Sequence, residues 1–480
     1  MKNWQKAGLA ASALAGAMWM AAPVAASAGE VAAGTQTAGN DASRVSVRGA
    51  ADLGRQTLPP NDGWAAYGGG TTGGAAATPD HVYVVHKRSE LVKALENGSS
   101  TPKIIYVVGT IDANVDDHDQ PLTDPEAYYA QGTGYSLESY LQAYDPATWG
   151  RDKVPSGDQE AARAQAEKNQ AARVQFNVGS NTTIVGVGRD ARIVGGNLVI
   201  GSNVENVIIR NIEFQDAIDY FPQWDPTDGD TGNWNSQFDN ITIKGGSKDG
   251  SQKGASHIWI DHCTFDDGAH PDNEAPVYFG RPYEQHDGTV DITNGADYVT
   301  VSYSVFHDHD KTNLIGSTDK PTYDVNHLHV TFHHDLYYNI VQRMPRVRYG
   351  QVNVYNNLYI GAGEGSAYPL SYVFGVGVES AIYAQNNFFV LPHGFDPADL
   401  IHYWKGTAIH VEGSWVAQDG KMGPADLLAL YNQKYPNQPL GSDVGWTPTL
   451  QTHVDPTVAV PALVLAKAGA GKVTSLAPQG

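Results

Sequence analysis

The 480-residue chain has a single cysteine, Cys263, so no internal disulfide can staple it. Cys263 sits in an apolar row, and a buried structural thiol is the expected role. Positive charge is scarce: 31 Lys and Arg stand against 52 Asp and Glu, a net charge of −21. A surface of that sign excludes nucleic acid as the partner. It would repel any other polyanion unless arginines or metal ions invert the field locally. Past the N-terminus no apolar run is long enough to cross a bilayer, so no membrane partner is expected. Long amphipathic helices are few, while Gly, Asn, Asp and Tyr are plentiful. The balance points to an all-β chain with many turns.

The first residues have the layout of an export signal. Lys2 and Lys6 form a basic end, Gly8 to Ala22 an apolar run, and Ala26-Ser27-Ala28 a small-residue cleavage site. Residues 1–28 are therefore read as a signal peptide on a secreted, extracellular, monomeric protein. Residues 29–60 are small and polar and read as a flexible linker. The folded domain is expected over 61–480. Near its start come a strand at Val82–Val85, a helix capped by Ser89 and stopped at Gly98, and a strand at Lys103–Val108. Residues 112–173 form an inserted, mostly polar excursion with helices near Leu137–Tyr144 and Glu160–Arg173. Residues 395–480 form a C-terminal extension packing on the fold.

From Val178 onward the sequence repeats. Six octets share the pattern apolar-x-apolar-x-polar-x-x-aromatic, starting at Val207, Ile258, Val299, Val330, Val352 and Ile382. A fixed motif at irregular spacing means equivalent rungs with variable loops, the mark of a β-solenoid. The fifth positions, Asn211, His262, Tyr303, His334, Asn356 and Asn386, would stack as a ladder along the axis. That ladder accounts for His262, His333 and His334 more simply than a metal site does. A second short strand precedes each octet: Asn197–Ile200, Asp239–Ile243, Thr289–Ile292, Thr312–Ile315, Arg346–Tyr349 and Tyr372–Val376.

The polar residues of these preceding strands are ordered by charge. Asp239, Asp287 and Asp291 belong to the second and third rungs, Lys311 to the fourth, and Arg343, Arg346 and Arg348 to the fifth. At about 4.8 Å per rung, acid and base lie about 14 Å apart on one face. Three carboxylates on adjacent rungs repel unless protonated or bridged by a cation. Oxygen donors without cysteine favour Ca²⁺ over Zn²⁺, with water and substrate oxygens completing the shell. The guanidinium cluster suits carboxylate or phosphate. The loop Asp225–Asp230, with Asp228, and nearby Asn235 are open to further ions, to sugar hydroxyls, or to an ordinary turn. Tyr278, Phe279 and Tyr283 are candidates to lie against sugar rings.

These pieces resemble pectate lyases of polysaccharide lyase family 1. The resemblance rests on Trp234-Asn235-Ser236-Gln237-Phe238-Asp239, Ile258-Trp259-Ile260-Asp261-His262, Asp287-Gly288-Thr289-Val290-Asp291-Ile292, Asp310-Lys311-Thr312-Asn313-Leu314-Ile315-Gly316, Arg343-Met344-Pro345-Arg346-Val347-Arg348-Tyr349-Gly350-Gln351 and Tyr355-Asn356-Asn357. They occur in the family's order over residues 62–400. The resemblance implies a right-handed parallel β-helix with an N-terminal capping helix. It also implies calcium-dependent β-elimination of α-1,4-polygalacturonate (pectate) to 4,5-unsaturated oligogalacturonides. Asp239, Asp287 and Asp291 fall on the family's calcium ligands, Arg343 on its base, and Lys311 and Arg348 on groups that hold substrate carboxylate. Arg346, Asn235 and Asp228 complete the expected substrate-binding set. Gln237 departs from the pattern, standing where an acid is often found.

Three competing readings remain. A hydrolase on the same scaffold would pair Asp261 with Asp266 or Asp267. A non-catalytic solenoid would bind the polymer without cleaving it. A pectin lyase would act on neutral methyl esters and have no use for the three aspartates.

Overall fold

A computed structural model describes residues 52–320 and 323–473. The expected signal peptide and most of the expected linker lie outside the described residues. The last part of that linker is packed rather than loose: Leu53 and Leu58 are buried, and Asp52 accepts a hydrogen bond from the Tyr106 hydroxyl.

Each turn of the chain adds one strand to each of three sheets. The first sheet has ten strands, from Val82–Val85 through Glu205–Arg210, Ser256–Asp261 and Asp297–Ser302 to His410–Glu412. The second also has ten, ending at Lys421–Pro424, and the third has eight, from Gln175–Asn177 to Ile401–Trp404. Pairing is parallel throughout, except that Lys421–Pro424 closes the second sheet antiparallel. This is the expected parallel β-helix. Strands at Val82–Val85 and Lys103–Val107 and a helix at Arg88–Leu95 begin it. Lys87, not Ser89, occupies the helix N-cap, and the Ser89 hydroxyl bonds Asp119 at 2.6 Å instead.

The octets stack in register: Val207 pairs with Ile258, Ile258 with Val299, Val299 with Val330, Val330 with Val352 and Val352 with Ile382. Each octet is a corner rather than one strand. Its first half lies in the first sheet and its last residues in the second, with the fifth residue at positive φ between them (46–58° at all six). Asparagine and histidine are enriched in that left-handed conformation, tyrosine is uncommon there, and the aromatic members stack on one another. His262 lies 5.1 Å from Tyr303, and Tyr303 4.8 Å from His334, ring on ring. Asp455 of the C-terminal extension seals this corner, bonding His334 and accepting from Asn356 and Asn386. These histidines are thus structural.

The eighth positions form a second ladder inside the coil. Phe214, Phe265, Phe306, Tyr337, Tyr359 and Phe389 stack at 4.9–5.3 Å with planes within 11°. Each such contact adds about 0.5–1.5 kcal/mol beyond area burial. Cys263 is buried in this core, and burial pushes its thiol up to about 12.

The 112–173 excursion carries helices at Pro125–Ala130, Leu137–Ala143 and Asp158–Val174. It builds a separate aromatic core from Tyr129, Tyr135, Tyr140 and Tyr144 with Phe221, Trp224, Trp234 and Tyr283. Tyr283 is therefore interior, and Tyr278 and Phe279 pack against the same cluster. Of the three candidates to lie against sugar rings, Tyr283 is thus taken up by the interior, while Tyr278 and Phe279 are only partly buried.

Candidate active site

The third sheet carries the charged residues, because its inward positions are all apolar. Ile241, Ile243, Val290, Ile292, Ile315, Val347 and Val376 are fully buried. The alternate residues must then face out. Register sets Thr242 beside Asp291, Leu314 beside Arg346, Arg346 beside Gly375 and Gly375 beside His402. A second row lies where the chain turns into each strand: Asp239, Asp287, Lys311 and Arg343. Backbone bonds tie these turns rung to rung, Ile241 to Thr289, Thr289 to Thr312 and Asn313 to Arg343.

At the acidic end, Asp239 accepts from the Gly288 amide at 3.0 Å and the Thr242 hydroxyl at 2.7 Å. Asp291 accepts from the Leu314 amide at 3.0 Å. Burial, then the charge of Asp287, pushes Asp239 up to about 7. Burial, Asp239 and Asp287 raise Asp291 well above the usual carboxylate range. A Cβ on residue 288 would sit 2.3 Å from Asp291 Oδ1, so only glycine leaves that carboxylate room. Oriented, crowded, oxygen-only donors of this kind fit a hard divalent cation.

Lys311 is buried beside the acids. Its ammonium lies 3.0 Å from Glu284 and 3.8 Å from Asp287. Burial works against its charge, but Glu284 and Asp287 outweigh burial and raise it above its ordinary value. Arg343 sits at the corner with φ of 61°, and its Nε is buried with no hydrogen-bond partner. Burial favours its neutral form, yet Tyr372, Asp287, Asp291 and Asp310 together hold it above the ordinary arginine value.

Arg346 and Arg348 face out on either side of buried Val347, as the alternation predicts. Arg346 runs over Gly375 and lies 3.9 Å from the centroid of Trp404; a Cβ at 375 would meet its Cγ at 2.9 Å. Burial, then Arg348 and Arg343, lowers it to about 10. Arg348 donates to Asp319 at 2.7 Å and to the Gly316 carbonyl at 3.0 Å. Asp319 also accepts from Lys405 at 2.7 Å. Asn235 is half-buried at the base of the hairpin Gln223–Asp225 and Asn233–Asn235, whereas Asp228 is exposed near its tip. Asp225 of that loop is taken up by the Thr227 amide and hydroxyl, an ordinary turn.

Glu284, Asp319, Lys405 and Trp404 all lie outside the recognised motifs, on loops or a late strand. The sequence carries no signal for where such loops return to the sheet. Asp261, the acid of the hydrolase reading, is fully engaged. It holds Arg210 and His262 on one oxygen and accepts from Ser302 on the other; burial opposes its charge, and His262 and Arg210 keep it well below the usual range. Asp266 accepts from Gln215 and the Gly268 amide. Asp267 is paired with His309 and Tyr368. Asp267, Asp272 and His286 also lie within metal-ligand reach of one another, but their short contacts are hydrogen bonds.

A pectate lyase family profile matches residues 55–134 and 155–401. The chain is 52% identical to a pectate lyase of Bacillus subtilis, over 88% of this chain and 95% of that protein. It is 35% identical to pectate lyase E of Dickeya chrysanthemi, over 72% of each. Among solved structures, a pectate lyase bound to hexasaccharide superposes with a TM-score of 0.81 at 51% identity, covering 88% of this chain and 100% of that one. A thermostable pectate lyase, PL 47, gives 0.83 at 49% with the same coverage. With acidic and basic residues graded along one sheet of a parallel β-helix, the chain belongs to the pectate lyase family and is a polysaccharide lyase.

Proposed function

We propose that the protein is a secreted, monomeric, calcium-dependent lyase of polygalacturonate. The observation that carries this is the adjacency of Asp239, Asp287 and Asp291 to Lys311 and Arg343 on neighbouring rungs. Asp239, Asp287 and Asp291 would hold Ca²⁺, which when bound supplies charge that acidifies the proton α to a uronate carboxylate. The Lys311 ammonium has Glu284 on one side and offers its remaining hydrogens to the C6 carboxylate, stabilising the enolate-like charge that develops there. Arg343 takes the C5 proton. The C5–H electron pair becomes the C4–C5 double bond as the bond from C4 to the glycosidic oxygen breaks. Water returns a proton to the departing oxygen.

Guanidinium is a poor base, and the carboxylates around Arg343 make it poorer. Compensating Asp287 and Asp291 removes two of the charges that hold its proton, while burial still favours the neutral form. The reading therefore requires an alkaline optimum. Arg348 and Arg346 would hold flanking uronates, and Asn235 and Asp228, on the hairpin before Asp239, would meet sugar hydroxyls or further ions. Mass spectrometry of the products tests the reaction type. Elimination predicts new non-reducing ends one water lighter than a saturated oligogalacturonide. Fully saturated oligomers would refute it and reinstate hydrolysis.

A further inference from the structure

The proposed cation ligands are not fastened equally. Asp239 accepts two hydrogen bonds and Asp291 one, but the Asp287 carboxylate accepts none among the described residues; Lys311 lies 3.8 Å away. Asp287 therefore takes its position from its backbone, and the residues just before it are held from outside their own loop. The Glu284 carbonyl accepts from Ser236 Oγ at 2.8 Å. The Gln285 carbonyl accepts from the Asp219 amide at 2.7 Å, and its side chain donates to the Asp219 carbonyl at 3.1 Å. His286, 3% exposed, places Nε2 3.0 Å from Asp216 Oδ1 and Nδ1 3.0 Å from Asp272 Oδ1. Each ring nitrogen thus faces a carboxylate oxygen, which holds the ring at both ends.

The clasp reaches the next rung. His286 Nδ1 is 3.8 Å from Asp267, which pairs with His309 and accepts from the Tyr368 hydroxyl at 2.7 Å. His309 Nε2 donates to the Lys311 carbonyl at 3.2 Å. One buried network thus joins the residue before Asp287 to the backbone of Lys311.

We infer that His286 is a positioning residue of the cation site, fixing Asp287 against Asp239 and Asp291 through the carboxylates of Asp216 and Asp272. This rests on the calcium reading above. Outer partners of metal ligands typically matter by 10–100-fold in affinity.

The test is calorimetric titration of the apo protein with Ca²⁺, without substrate, for wild type, His286→Gln, His286→Ala and His270→Ala. His270 also pairs with Asp216, at 2.6 Å, but is mostly exposed. His286→Gln keeps side-chain donors and similar volume, so it serves if His286→Ala does not fold. The inference predicts about tenfold or weaker Ca²⁺ binding in the folded His286 variants. His270→Ala should bind no more weakly than wild type, and His286→Gln should regain near-wild-type turnover at saturating calcium. Unchanged or tighter binding in folded His286→Gln would overturn the inference while leaving the calcium reading intact. A wild type that binds no Ca²⁺ would overturn both.

Discussion

Arg343 and Lys311 can be tested separately because they meet different partners. Arg343→Ala should lower kcat by roughly a hundred- to ten-thousand-fold while KM changes little; steady-state kinetics at alkaline pH would show it. Turnover near wild type would mean the base lies elsewhere. Lys311 is a partner in a buried pair, so Lys311→Ala should also destabilise the fold by about 3–5 kcal/mol in denaturant titration. Most of that loss reflects Glu284 left buried and unpaired. Adding Glu284→Gln to Lys311→Ala should therefore recover stability but not activity. The aspartates, Lys311 and the arginines were legible because each lies next to a strand whose period the sequence displays. Glu284, Asp319 and Trp404 were not, since their contacts to Lys311, Arg348 and Arg346 depend on loop paths with no periodicity.

At the scale of elements, the octet repeat exposes the rung structure, and the aromatic eighth position exposes its inner ladder. It does not display the bend, because the left-handed fifth residue is as often His or Tyr as the residue that prefers that conformation. The ladder predicts that Phe306→Ala, flanked by Phe265 and Tyr337 at 4.9 Å each, costs about 3–5 kcal/mol. Urea unfolding followed by circular dichroism would measure it. A cost below 1 kcal/mol would mean the neighbouring rings close the gap. Two of the three helices of the 112–173 excursion, Leu137–Ala143 and Asp158–Val174, were visible in the sequence, and Pro125–Ala130 was not. Their purpose was not, because the apolar partners Trp224, Trp234 and Tyr283 lie far along the chain.

For the whole molecule, the buried acidic cluster couples stability to pH and calcium. Asp239 titrates near 7 in the folded chain against 3.8 for a free carboxyl, and Asp291 shifts the same way. Unfolded chains therefore release these protons first as pH rises. Without a cation, this contribution is intact below about pH 4 and is lost as pH climbs through about 7. Thermal melts in chelator should fall over that window, and added Ca²⁺ should restore more stability at pH 8 than at pH 5. An equal calcium effect at both pH values would contradict the assignment of these aspartates. Calcium-dependent elimination has a direct optical readout. Purified protein is mixed with polygalacturonate at alkaline pH, and ultraviolet absorbance of the unsaturated uronide is followed with Ca²⁺ and then with excess chelator. Calcium-dependent elimination predicts a steady rise that the chelator stops and renewed Ca²⁺ restarts. A rise indifferent to the chelator would contradict the cation site, and no rise would contradict elimination itself.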